Sequence, residues 1–126
     1  MAGTDLSRVL NVRTGASLGE RVKAADTWAS RLVGLLGTRT LAPTHGLWLT
    51  PCNGVHTLGM RYPIDVIFLD GESRVRKIAR RLRPHRLCLA RRGVRSVLEL
   101  PAGTLEEADV QLGDSLVFEP MSGAAG

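Results

Sequence analysis

The stretch IDVIFLDGESRVRKIA, residues 64–79, decides the fold. Ile64 to Leu69 is an apolar run of strand length, Arg74 to Ala79 is a second extended segment, and Asp70-Gly71 stands between them. That pair favours a tight hairpin, because both central residues of such a turn must tolerate positive φ. Further out, Leu87 to Ala90, Val97 to Leu100 and Ser115 to Glu119 read as short strands separated by Gly, Pro and charged turns. Upstream, Val9 to Val12 suits a short strand, Gly15 to Gly19 a turn, Leu47-Trp48-Leu49 a buried strand, and Pro51 to Gly54 another turn. Asp26 or Thr27 can cap one short helix over about residues 27–36, where Trp28, Leu32, Val33, Leu35 and Leu36 follow helical spacing up to Gly37. The expected architecture is mainly β: a compact antiparallel β-sandwich or distorted barrel of short strands with that one helix on it.

At 126 residues the chain has the length of one domain, expected over residues 8–119 with flexible termini at 1–7 and 121–126. Aromatic residues make up only 4%, so the core should be aliphatic. The first residues lack a secretory signal, and no apolar run approaches the roughly 18 residues that span a membrane. The expected location is cytoplasmic, or secreted if a leader has been trimmed. Two cysteines, Cys52 and Cys88, do not make a disulfide framework. Neither a phosphate-binding loop, a dinucleotide fingerprint nor a nucleophile elbow is present, so no cofactor is expected.

The ordered segments RLVGLLGTRTL (31–41), GLWLTPC (46–52), HTLGMRYPIDVIFLD (56–70), VLELPAG (97–103) and LGDSLVF (112–118) resemble the bacterial and archaeal family catalogued as domain of unknown function 192. The resemblance spans roughly residues 8–119 and implies a compact, mainly β domain similar to a distorted sandwich, with no assigned activity. Commoner members carry a tryptophan-methionine-lysine-asparagine-threonine pattern where this chain reads HTLGM, so it resembles the His-Thr subgroup of the family. The family motif also carries an acid at the position of Glu99.

Asp65 and Glu99 interrupt apolar strands, and an unpaired buried carboxylate costs several kcal/mol. Asp65 shares a strand face with Ile67 and Leu69, so it needs donors: either backbone N–H groups of the Arg61-Tyr62-Pro63 turn, or a polar pocket. The leading functional reading is a non-catalytic module that binds a small ligand or partner in a pocket floored by His56, Thr57, Asp65 and Glu99, with Arg31 as a cation for either acid. An alternative reads Cys52, His56 and Asp65 as a hydrolase in which the carboxylate orients the imidazole. A third takes Cys52, His56, His85 and Cys88 as a zinc site, which strand geometry disfavours without bends at Asn53-Gly54 and Pro84-His85.

Charge is unevenly spread. Residues 74–95 hold ten Arg or Lys and no acid, while the remainder holds 7 bases against 12 acids. Strict alternation would put Arg74, Arg76, Ile78 and Arg80 on one face and Val75, Lys77, Ala79 and Arg81 on the other, which suits an edge strand whose cations deter aggregation. The same segment can contact a polyanion or acidic protein through Arg76, Arg80, Arg81, Arg83, Arg86, Arg91 and Arg92. It contains no aromatic residue, so any nucleic-acid contact would be weak and blind to sequence. A monomer or weak dimer is expected.

Overall fold

In a computed structural model, the described residues are 6–25, 43–50, 54–56, 62–84, 86–89 and 92–121. Among them are nine strands: β1 Leu6–Asn11, β2 Ser17–Ala25, β3 His45–Leu49, β4 Gly54–His56, β5 Ile64–Asp70, β6 Val75–Leu82, β7 Leu87–Leu89, β8 Val94–Pro101 and β9 Leu116–Pro120. One helical turn, α1 Thr104–Glu107, lies between the last two. The helix expected over residues 27–36 falls outside the described residues.

Seven strands form one sheet in the order β6-β5-β8-β3-β2-β1-β9, while β4 and β7 pair as a separate ribbon. The expectation of a wholly antiparallel sheet is corrected at one place: β2 and β3 run parallel, with Val22 opposite Gly46 and Ala24 opposite Trp48. Parallel neighbours need a crossover of about a dozen residues or more, which residues 26–44 are long enough to supply. The turn expected over Gly15 to Gly19 is also shorter. Gly15 takes φ 75° and donates its N–H to Asn11 O at 2.7 Å, whereas Gly19 already lies within β2.

The hairpin over residues 64–79 is present, but Asp70-Gly71 does not form its two-residue tip. Asp70 opens a longer loop: Ser73 N donates to Asp70 O at 3.0 Å and Asp70 N to Arg74 O at 3.1 Å. Asp70 Oδ1 accepts the N–H groups of Glu72 and Arg74 at 2.9 Å each. The positive φ, 60°, falls at Ser73. Asp70 therefore works as the side-chain cap that starts the turn.

The large sheet curls until its two edges touch. Val75 N donates to Asp114 O at 2.8 Å, Gly113 N to Val75 O at 2.8 Å and Leu116 N to Ser73 O at 2.9 Å, flanking a bridge between Arg74 and Ser115. The resulting half-barrel encloses an aliphatic core that includes Val9, Val22, Ile67, Leu69, Leu98 and Leu100, with Leu105 of α1 inserted into it. At Gly46 a side chain would force its neighbours to shift, since its Cβ would stand 2.8 Å from Leu100 Cδ2 and 3.1 Å from Glu99 O. Trp48 stacks on Phe118 with centroids 4.1 Å apart, joining β3 to β9.

The outer face of β3, β5 and β8 carries a second core of Leu47, Leu49, Ile64, Val66, Phe68, Val94 and Val97, against which Cys88 of the ribbon packs. Cover on both faces explains why residues 64–69, Asp65 apart, read as an apolar run rather than an alternating pattern. Strand β6 lies at the sheet edge, as its charge pattern implies. Its faces differ from strict alternation because two register shifts interrupt its pairing with β5. Val75 and Ile78 both serve the inner core, while Ala79 and Leu82 serve the outer one.

Candidate functional site

Asp65 is completely buried and its two carboxylate oxygens are fully engaged. Oδ1 accepts Arg81 N at 2.8 Å, and Oδ2 accepts Gly103 N at 3.0 Å and Leu105 N at 2.9 Å. The donors are thus backbone groups, but they come from a bulge in β6, where Arg81 has φ 50°, and from the start of α1. The expected donors, the 61–63 turn, do not supply the described bonds. Asp65 fastens the end of the half-barrel: it ties the edge strand to the helix that caps the core.

Glu99 is equally buried, yet it stands on the other side of the sheet. Val66 and Leu47 are its cross-strand partners, and both belong to the outer core; Asp65 lies opposite Leu100, which belongs to the inner core. Directly paired residues share a face. The two acids therefore do not floor one pocket, because the sheet itself separates them. The Cys-His-Asp arrangement loses its carboxylate by the same geometry, since Asp65 faces the barrel interior while the ribbon packs outside.

Of the remaining candidates, His56 lies in β4, in register with Leu87, and Cys88 lies one step along β7, opposite Val55. Arg31, Cys52, Thr57, His85 and Arg91 lie outside the described residues. Among the described residues no three His, Cys, Asp or Glu converge in a geometry that could hold a metal ion.

The basic segment is exposed at Arg76, Arg80, Arg81, Arg83, Arg86 and Arg92, and much of its charge is already engaged. Arg76 stands 3.8 Å from Asp70 and Arg81 3.3 Å from Glu106. Arg80 donates to Val110 O at 3.3 Å and Lys77 to Leu89 O at 2.6 Å. Arg83 and Arg86 also have interaction partners. Exposed pairs of this kind are individually weak and exchange readily with another anion.

A polar cluster that sequence reasoning missed joins β1 to the β9 entrance. Asp114, 6% exposed, accepts Arg13 Nε at 2.7 Å, Asn11 Nδ2 at 2.9 Å and Gln111 N at 2.8 Å. The Arg13 bond, followed by those from Gln111 and Asn11, outweighs burial and holds the Asp114 carboxyl below its ordinary value. A carboxylate with a depressed folded pKa stabilises the protein fully above its unfolded pKa and loses that contribution as pH falls through the folded value. Asp114→Asn should therefore lower the melting temperature at neutral pH, with the difference from wild type shrinking below about pH 4. A pH-independent difference in a melting series would remove the carboxylate from this role.

These features define a class of small domain: a curled mixed β-sheet with a core on each face and a buried acid in each of two interior strands. The chain belongs to the DUF192 family, Uncharacterized ACR, whose model matches residues 9–118. A UPF0127 protein of Pyrococcus furiosus is 32% identical over 119 residues, covering 90% of this chain and 99% of the relative. One from Thermococcus sibiricus is 30% identical over 117 residues, covering 88% and 74%. A Sinorhizobium meliloti crystal structure, described as that of a candidate transcription regulator, matches with TM-score 0.78 and 26% identity over 92% of this chain and 94% of its own. A Novosphingobium aromaticivorans protein of unknown function matches in fold, with TM-score 0.75 and 22% identity over 90% and 84%. Among the described residues no helix is long and apolar enough to cross a membrane.

Proposed function

We propose that this chain is a non-catalytic binding module that takes a small polar ligand against its outer face at Glu99. The observation that carries this reading is a carboxylate with no exposed surface, in a central strand, among Leu47, Val66 and Val97. A buried ion pair is often no more stabilising than apolar residues of the same volume, so stability alone is a weak reason for an acid there. Apolar walls around a few polar groups are also the usual chemistry of a small-molecule site. Asp65 leaves the proposed set, because both its oxygens already accept backbone N–H groups and it lies on the inner face.

The test is Glu99→Gln, which keeps the volume and removes the charge. Fragments bearing amine, amide or carboxylate groups, screened by NMR, should shift the amides of Leu47, Val66 and Glu99. The variant should keep the wild-type spectrum and lose about tenfold or more in affinity, the scale of one charged hydrogen bond. Unchanged affinity, or outright loss of the folded spectrum, would make Glu99 a structural ion pair instead.

A further inference from the structure

Where the half-barrel fails to close, β6 has an open edge. Backbone bonds across the seam to residues 113–116 involve only Ser73 and Val75, beside the Arg74–Ser115 bridge. Beyond Val75 the two sides diverge, and among the described residues no backbone bond joins residues 76–82 to anything except β5. The opening is a groove of about 660 Å³, walled by Arg76, Lys77, Ile78 and Arg80 on one side and Val110, Gln111 and Leu112 on the other. Leu112 is 66% exposed, which gives the groove an apolar wall facing a cationic one.

We propose that this seam docks an acidic, extended segment of a partner protein, which adds to β6 as a further strand. An open edge attracts any strand through its backbone, so the side chains must do the selecting. Residues 74–95 contain ten cations and no acid. A second copy of β6 would bring arginine against arginine, whereas an acidic strand turns the same side chains into attractive partners. The Arg76–Asp70 ion pair at the edge is long, 3.8 Å, and can be exchanged for a carboxylate on the incoming chain. Ile78 and Leu112 would receive the apolar side chains that alternate with the acids. This inference is independent of Glu99, which is buried in β8 and does not line the groove.

Fluorescence anisotropy with a labelled peptide alternating glutamate and valine tests it. The peptide should bind at about 50 mM salt and weaken at about 200 mM, slow amide exchange across residues 77–80, and bind at least about tenfold less well after backbone N-methylation, since added strands are held by main-chain hydrogen bonds. Arg76→Ser with Arg80→Ser should cost about tenfold. Arg92→Ser with Arg95→Ser, the same change in charge away from the groove, should cost less than about twofold. The proposal fails if no peptide binds, if the N-methylated peptide binds equally well, if both arginine pairs cost the same, or if a single-stranded oligonucleotide outcompetes the peptide. The last result would assign the segment to polyanion binding by charge alone.

Discussion

Asp65→Ala is expected to destabilise the fold by about 3–5 kcal/mol, the largest effect of any single polar substitution named here. Removing one partner of a buried hydrogen bond leaves the other to bear its desolvation, at about 1–3 kcal/mol per orphaned group. Here three donors are orphaned at once: the N–H groups of Arg81, Gly103 and Leu105. The Leu105 N bond is buried, while the other two are partly open to water, which sets the lower end of the range. Since whole domains are stable by only about 5–15 kcal/mol, the variant should be marginal at physiological temperature. Asp65→Asn should fall between, because its amide keeps one acceptor and turns an N–H toward donors. Chemical denaturation measures both. A shift under about 1 kcal/mol for Asp65→Ala would mean that the three bonds do not hold the α1 end of the barrel.

The partners of Asp65 mark the limit of what the sequence reveals. That a carboxylate in IDVIFLD needs donors follows from burial alone, and backbone donors were one of the two solutions open. Their source was not legible, because Gly103 and Leu105 lie about forty positions downstream and are brought together only by the curl of the sheet. The pocket of Asp65 with Glu99 failed for a related reason. Alternation assigns faces within one strand, but comparing two strands requires their register, here Asp65 to Leu100 and Val66 to Glu99. Short segments such as residues 47–49 and 97–100 were readable as strands since apolar residues dominate them, buried at every position except the half-buried Trp48. Strand β2 was not, because Glu20, Arg21 and Lys23 interrupt its buried residues Leu18 and Val22 and hide a period of two behind glycine and charge. The charged edge β6 was legible for the opposite reason: no interior strand tolerates cations on both faces.

Phe68→Ala should cost about 3–5 kcal/mol, the usual range for truncating a fully buried phenylalanine. This follows from the outer core. If the outer face of β5 met water, Phe68 would be partly exposed and its loss mild; instead it has no accessible surface and packs with Leu47, Ile64, Val66 and Val97. The effect should also be directional. Lys77 places its ammonium 5.6 Å from the Phe68 ring centroid and donates to Leu89 O at 2.6 Å, so the ring supports a side chain that anchors β7 to the edge strand. Losing the ring removes both packing and a cation–π contact worth about 0.5–1 kcal/mol at a half-exposed site. Amide exchange in β7 should therefore accelerate more than exchange at Leu98 or Leu100, whose side chains belong to the inner core and whose opening reports global unfolding. Uniform acceleration across both would show that the two cores open as one unit, and that the ribbon has no local dependence on Phe68.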